Sequence, residues 1–149
     1  MRVPAPSAAC RALLTVLIPA VSAAAQPTPL SAQDAWIRAT PGVDVAAAYL
    51  TLHNGGTRPV VVSAVRSPAA QTATIHETAL VNGQSTMRAR EPLRVAPGET
   101  VRFAPGGLHI MLHGLKRPLA AGDEVPLTLL LEGGESVMVT ARVRALGDG

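Results

Sequence analysis

Two histidines and two methionines, His76, Met87, His109 and Met111, stand in the spacing H-x10-M-x21-H-x-M. The set offers two imidazoles and two thioethers, with no thiolate and no carboxylate. Thioether sulfur is a soft donor that holds hard cations poorly, and imidazole suits borderline metals, so this N2S2 set favours monovalent copper. Zinc would instead recruit Cys, His or a carboxylate. The chain has four methionines, and Met1 only starts it, so two of the other three belong to the set. Taken singly, a methionine on a strand is core filler and a lone surface histidine is solvated. The joint spacing, with the Pro105-Gly106-Gly107-Leu108-His109-Ile110-Met111 context, makes the four a candidate Cu(I) site.

Four such side chains meet only if strands and turns bring them together. Short segments that fit strands occupy residues 35–39, 46–53, 59–65, 72–77, 86–90, 100–103, 108–112, 125–131 and 136–144. Turn-forming runs separate them, among them Asn54-Gly55-Gly56, Asn82-Gly83, Pro97-Gly98, Pro105-Gly106-Gly107 and Gly133-Gly134. Nine short strands at this spacing predict an all-β antiparallel sandwich or barrel. The Ala-rich stretch 46–52 competes as a helix, but its Gly and β-branched neighbours favour a strand.

Strand alternation then places the ligands. Leu108, Ile110 and Leu112 share one face, while His109, Met111 and His113 share the other. In the strand ending at Glu77, Thr72, Thr74 and His76 lie opposite Ala73 and Ile75. A hairpin around Asn82-Gly83 carries Met87 back toward His76.

The N-terminus reads as a cleaved export signal over residues 1–25. Arg2 and Arg11 supply positive charge, residues 12–21 form an apolar run interrupted by Pro19, and Ala23-Ala24-Ala25 offers a small-x-small cleavage site before Gln26. The run is shorter than the roughly 20 residues of a membrane-spanning helix. No Arg-Arg pair is present, so export in the unfolded state is expected, with metal acquired afterwards. The expected mature chain, residues 26–149, has 124 residues, 11 basic and 10 acidic, a formal net charge of +1 that gives no argument for nucleic acid. The only cysteine, Cys10, leaves with the signal and precedes the apolar run, where a lipid-attachment cysteine would follow it. A chain of this size, read as one domain with its core over 33–145, buries roughly two-thirds of its unfolded surface and needs no disulfide. Trp36, Tyr49 and Phe103 are the only aromatics, which leaves few stacking platforms for bases or sugars.

The stretch from His76-Glu77-Thr78 through Met87-Arg88, then Val95-Ala96-Pro97-Gly98-Glu99-Thr100-Val101, Phe103-Ala104-Pro105-Gly106-Gly107-Leu108-His109-Ile110-Met111-Leu112 and Gly114-Leu115-Lys116-Arg117-Pro118-Leu119, closely resembles the periplasmic copper chaperones of the PCu(A)C family. Ala35-Trp36-Ile37-Arg38-Ala39-Thr40-Pro41 and Gly122-Asp123-Glu124-Val125-Pro126-Leu127-Thr128-Leu129 resemble that family's opening and closing strands, so the likeness covers nearly the whole expected mature chain. It implies a cupredoxin-like Greek-key β-sandwich of eight or nine strands in the periplasm. It also implies one Cu(I) held by His76, Met87, His109 and Met111 and delivered to the copper centres of cytochrome oxidase, directly or through a Sco-type protein. The chain departs from the family in two places. Glu77 stands where some members add a Met, and the stretch after His76, usually Met-rich, carries Leu80 and Ser85.

Other residues receive plainer readings. His113 shares a face with His109 and Met111 and is a possible fifth donor or hydrogen-bond partner, His53 is a turn residue, and Met138 between Val137 and Val139 is expected in the core. Glu77 faces away from His76, which argues against its orienting that ring. A blue-copper electron carrier requires a Cys ligand, absent after residue 25. No catalytic constellation stands out, so an enzyme is not expected. An exported sandwich used for adhesion or assembly, and a copper storage or resistance protein, are the competing readings.

Overall fold

The computed structural model describes residues 28–147; the export segment 1–25, with Cys10, lies outside the described residues. The described chain is all-β. Its strands are β1 (Leu30–Ala39), β2 (Val45–Asn54), β3 (Val60–Arg66), β4 (Ala70–Val81), β5 (Gln84–Ala89), β6 (Leu93–Val95), β7 (Thr100–Arg102), β8 (Leu108–Leu115), β9 (Glu124–Leu131) and β10 (Ser136–Arg144). Nine coincide with the segments expected from alternation. The tenth, β6, is three residues long, too short for a period of two to show, and is fixed by its pairing with β3 through Val60↔Val95 and Val62↔Leu93.

Neighbouring strands follow the order β4-β8-β2-β1-β10-β9-β3, and a contact at Val65↔Ala73 joins β3 to β4. The result is a barrel-like sandwich to which β5, β6 and β7 are appended at β4, β3 and β2. One pairing departs from the antiparallel expectation: β1 and β10 run parallel, with Trp36↔Arg142 and Arg38↔Arg144 in register. Parallel neighbours need a long crossover, and here nearly the entire described chain separates them.

The core is aliphatic. Ile37, Leu50, Leu52, Ile75, Ile110, Leu112, Leu127 and Leu129 are fully buried. Met138 is not among them and is 72% exposed, against expectation. The inward positions of β10 belong to Val137, Ala141 and Val143, and alternation turns Met138 outward.

Two polar side chains are buried among the described residues, His109 and Asn54. Asn54, fully buried at the end of β2, donates through Nδ2 to the carbonyls of Arg58 (2.8 Å) and Val95 (3.1 Å), and its Oδ1 accepts from Gly56 N–H (3.0 Å). Its backbone also pairs with Glu99 and Gly98. The Asn54 of the Asn-Gly-Gly turn signal is thus a buried junction that ties the β2–β3 connection to the β6–β7 connection. Asn54→Ala strips those partners in a site closed to water, so it should destabilise the fold by about 3 kcal/mol. Urea unfolding would check this, and a loss under about 1 kcal/mol would contradict it.

Candidate metal centre

The centre is built on β4 and its two neighbours. β4 and β8 pair without a register shift, placing Thr72 opposite His113, Thr74 opposite Met111 and His76 opposite His109. On the other side, β5 places Met87 opposite Thr78 and Ala89 opposite His76. Cross-strand partners share a face, and Thr74, His76 and Thr78 share one by alternation. All four predicted ligands therefore lie on the same face of β5-β4-β8, opposite Ile75, Ile110 and Leu112 in the core. His76 and His109 meet directly, edge to face, with ring centroids 6.0 Å apart. Met111 lies one diagonal step from His76. Met87 is a diagonal neighbour on the other side and is 61% exposed, so it stands at the margin of the histidine pair.

The turn before β8 holds His109. Gly107 N–H donates to the Ala104 carbonyl (3.0 Å), and Gly106 has φ +82° behind Pro105. That is the pattern of a type II turn, whose third position needs glycine. The turn presents the Gly107 carbonyl to two donors at once, the Thr78 N–H of β4 (3.1 Å) and the Nδ1 of His109 (2.9 Å). His109, 6% exposed, is thereby fixed as the tautomer with its lone pair on Nε2.

His76 is held differently. Its Nε2 lies 3.2 Å from Thr74 Oγ1, while its Nδ1 is buried with no hydrogen-bond partner. An orphaned buried nitrogen costs the fold desolvation free energy, and such an atom calls for a specific cause, an ion among them. Each histidine thus has one nitrogen engaged by the protein and one left over. Among the described residues, no group of three or more His, Cys, Asp and Glu side chains is placed to hold a metal ion.

Burial lowers the pKa of His76 below its ordinary 6.5, with smaller contributions in the same direction from His109 and His113 and an opposing one from Glu91. The neutral, metal-competent imidazole is therefore favoured. Glu91 also accepts the Ile75 N–H (2.9 Å) where β4 has left β3 and not yet joined β5. Glu77 does not serve His76; it pairs with Arg90 at 3.1 Å. His53 lies at the far end of β2 with its Nδ1 3.0 Å from Thr100 Oγ1, away from the centre. The Gly107 carbonyl and Glu91 had no signal in ligand spacing, whereas Thr74 was legible as a residue on the face of His76.

The LpqE-like model, described as "Putative lipoprotein LpqE-like", matches residues 30–143. The chain belongs to the LpqE-like family. A Leifsonia xyli subsp. xyli relative, "Putative lipoprotein Lxx21020", is 39% identical over 111 residues, 74% of this chain. The match spans 66% of that relative's length, just under two-thirds. Among solved structures, the Cu(I) form of DR1885 from Deinococcus radiodurans is 32% identical with TM-score 0.61, covering 83% of each chain. Its apo form is 31% identical with TM-score 0.62, covering 100% of this chain and 99% of the other. The copper-bound PCuAC domain of PmoF2, at 24% identity and TM-score 0.66, covers 79% of this chain and 94% of the domain, and shows a shared fold. This LpqE-like chain thus has the cupredoxin-like fold of PCuAC domains, as the resemblance in sequence implied.

The pKa of His76 gives a test on the metal-free protein. Its native value lies below the unfolded 6.5, so the native state binds fewer protons and loses stability as pH falls through 6.5 toward that value. An NMR titration should place the His76 midpoint below 6.5, and a midpoint at or above 6.5 would contradict the desolvated ring.

Proposed function

We propose that this protein is an exported copper chaperone that takes one Cu(I) as cargo through His76, Met87, His109 and Met111. It delivers that copper to centres of cytochrome oxidase, directly or through a Sco-type protein, after loss of residues 1–25 and release into the periplasm. The observation that carries the reading is the His76–His109 pair, with centroids 6.0 Å apart and one uncommitted nitrogen on each ring, flanked on the same face by two thioethers. The Cu(I) form of a 32% identical protein of the same fold supports it.

The chemistry of the handoff follows from the donors. Neutral imidazoles and thioethers leave Cu(I) with its full positive charge, and a thiolate-bearing recipient outcompetes them for a soft ion. His109, buried and locked to Gly107, is the fixed point of the site. Met87, exposed on β5, is the donor a recipient reaches first, so exchange begins at that sulfur and ends at His109. The role is carriage of an ion, with no bond of a substrate made or broken. The lipoprotein name of the relatives and the position of Cys10 diverge here, because the expected cleavage site follows that cysteine.

Competition with a chromophoric chelator tests the reading. Wild type should bind one Cu(I). His109→Ala should weaken binding by more than the roughly 10–100-fold that loss of an outer-shell partner costs, and Thr74→Val should fall within that range. Affinity should also decline in acid, because each imidazole must be deprotonated to bind. Undiminished affinity at pH 5, or in His109→Ala, would overturn histidine ligation.

A further inference from the structure

The cross-strand row that contains the two histidines continues beyond them. β8 and β2 are in register through Ala48↔Ile110, so Tyr49 follows the last paired residue of β2 and His109 precedes that of β8. Tyr49 in turn is opposite Trp36, with ring centroids 4.4 Å apart. The row Trp36, Tyr49, His109, His76 thus crosses four adjacent strands on one outer face. At 4.7–4.9 Å per strand, the backbones of Trp36 and His109 are about 10 Å apart.

Arginines gather at the Trp36 end. The Arg144 guanidinium lies 4.5 Å from the Trp36 ring centroid and that of Arg38 lies 5.7 Å away. Arg102, on the outer face of β7 opposite Thr51, lines a surface groove together with Trp36 and Arg144. None of the three arginines forms an ion pair among the described residues, where the pairs are Arg90–Glu77 and Arg117–Asp123. Asp34 is the one carboxylate lining the groove. The mature charge expected for the chain is nearly balanced, so this is a local concentration of positive charge. Guanidinium groups stacked on an indole are held in place with their N–H donors turned outward, an arrangement suited to carboxylates, which accept them in pairs.

We propose that the Arg38–Arg102–Arg144 cluster around Trp36 is the docking surface for an acidic face of the recipient protein, set beside the metal centre so that docking aligns the recipient's ligands with it. Charged rims of this kind act mainly on the rate and salt dependence of encounter. The inference takes its purpose from the copper-carrier reading, but the surface itself binds without metal, which keeps the two separately testable.

The test uses the metal-free chain, 15N-labelled, titrated at low salt with an Asp/Glu-rich peptide as mimic of the acidic face, and in parallel with phosphatidylglycerol vesicles. The peptide should shift the Trp36 indole and the amides of Arg102 and Arg144 while sparing Arg58 and Arg66. Raising the salt past about 0.15 M, where the screening length falls to about 8 Å, should weaken the effect. Arg102→Glu, which leaves the Trp36 stack untouched, and the double variant with Arg144→Glu should lower peptide affinity about fivefold and at least tenfold respectively, and His109→Ala should leave it unchanged. Shifts spread evenly over all arginines, or no shift at Trp36, would overturn the proposal. Binding to the vesicles without binding to the peptide would also overturn it, assigning the patch to a membrane surface.

Discussion

The unshifted antiparallel register between β4 and β8 is the constraint on which the candidate metal centre depends. It sets His76 against His109 and Thr74 against Met111 while the alternate residues, Ile75, Ile110 and Leu112, fill the core. A slip of one residue would reverse every side chain on the strand, burying histidines and exposing isoleucines. The burial of those aliphatic side chains therefore holds the histidines together, although none of them touches a metal. The Gly107 carbonyl reinforces the same register, since it accepts from the β4 backbone and from the His109 ring together.

Around that pair the site is graded from fixed to accessible. His109 is buried and has its tautomer set by the turn, His76 is partly buried with a nitrogen lacking any partner, and Met87 lies largely in solvent. On the proposed carrier reading, Met87 at the exposed margin is the donor through which the ion leaves.

Much of this was legible in the sequence, for reasons that differ by residue. Period-two alternation placed Leu108, Ile110 and Leu112 opposite His109, Met111 and His113 because the strand is long and one face is apolar. It failed for Met138, whose neighbours Val137 and Val139 are both apolar, so that hydrophobicity alone could not tell which residue faces in. The strand β6 and the parallel pairing of β1 with β10 were hidden for a different reason: three residues show no period, and the direction of pairing between distant strands leaves no local trace. The role of Asn54 was also hidden, since a turn asparagine and a buried one look alike until their partners are known. Spacing found the four candidate ligands, but not the Gly107 carbonyl, which any residue supplies and only the fold aims.

X-ray absorption at the copper edge of the Cu(I)-loaded mature chain tests the ligand set most directly. A shell of two nitrogens and two sulfurs is expected, with one sulfur lost in Met111→Ala and one nitrogen lost in His109→Ala. A shell of nitrogen and oxygen alone, or one unchanged by both substitutions, would contradict it.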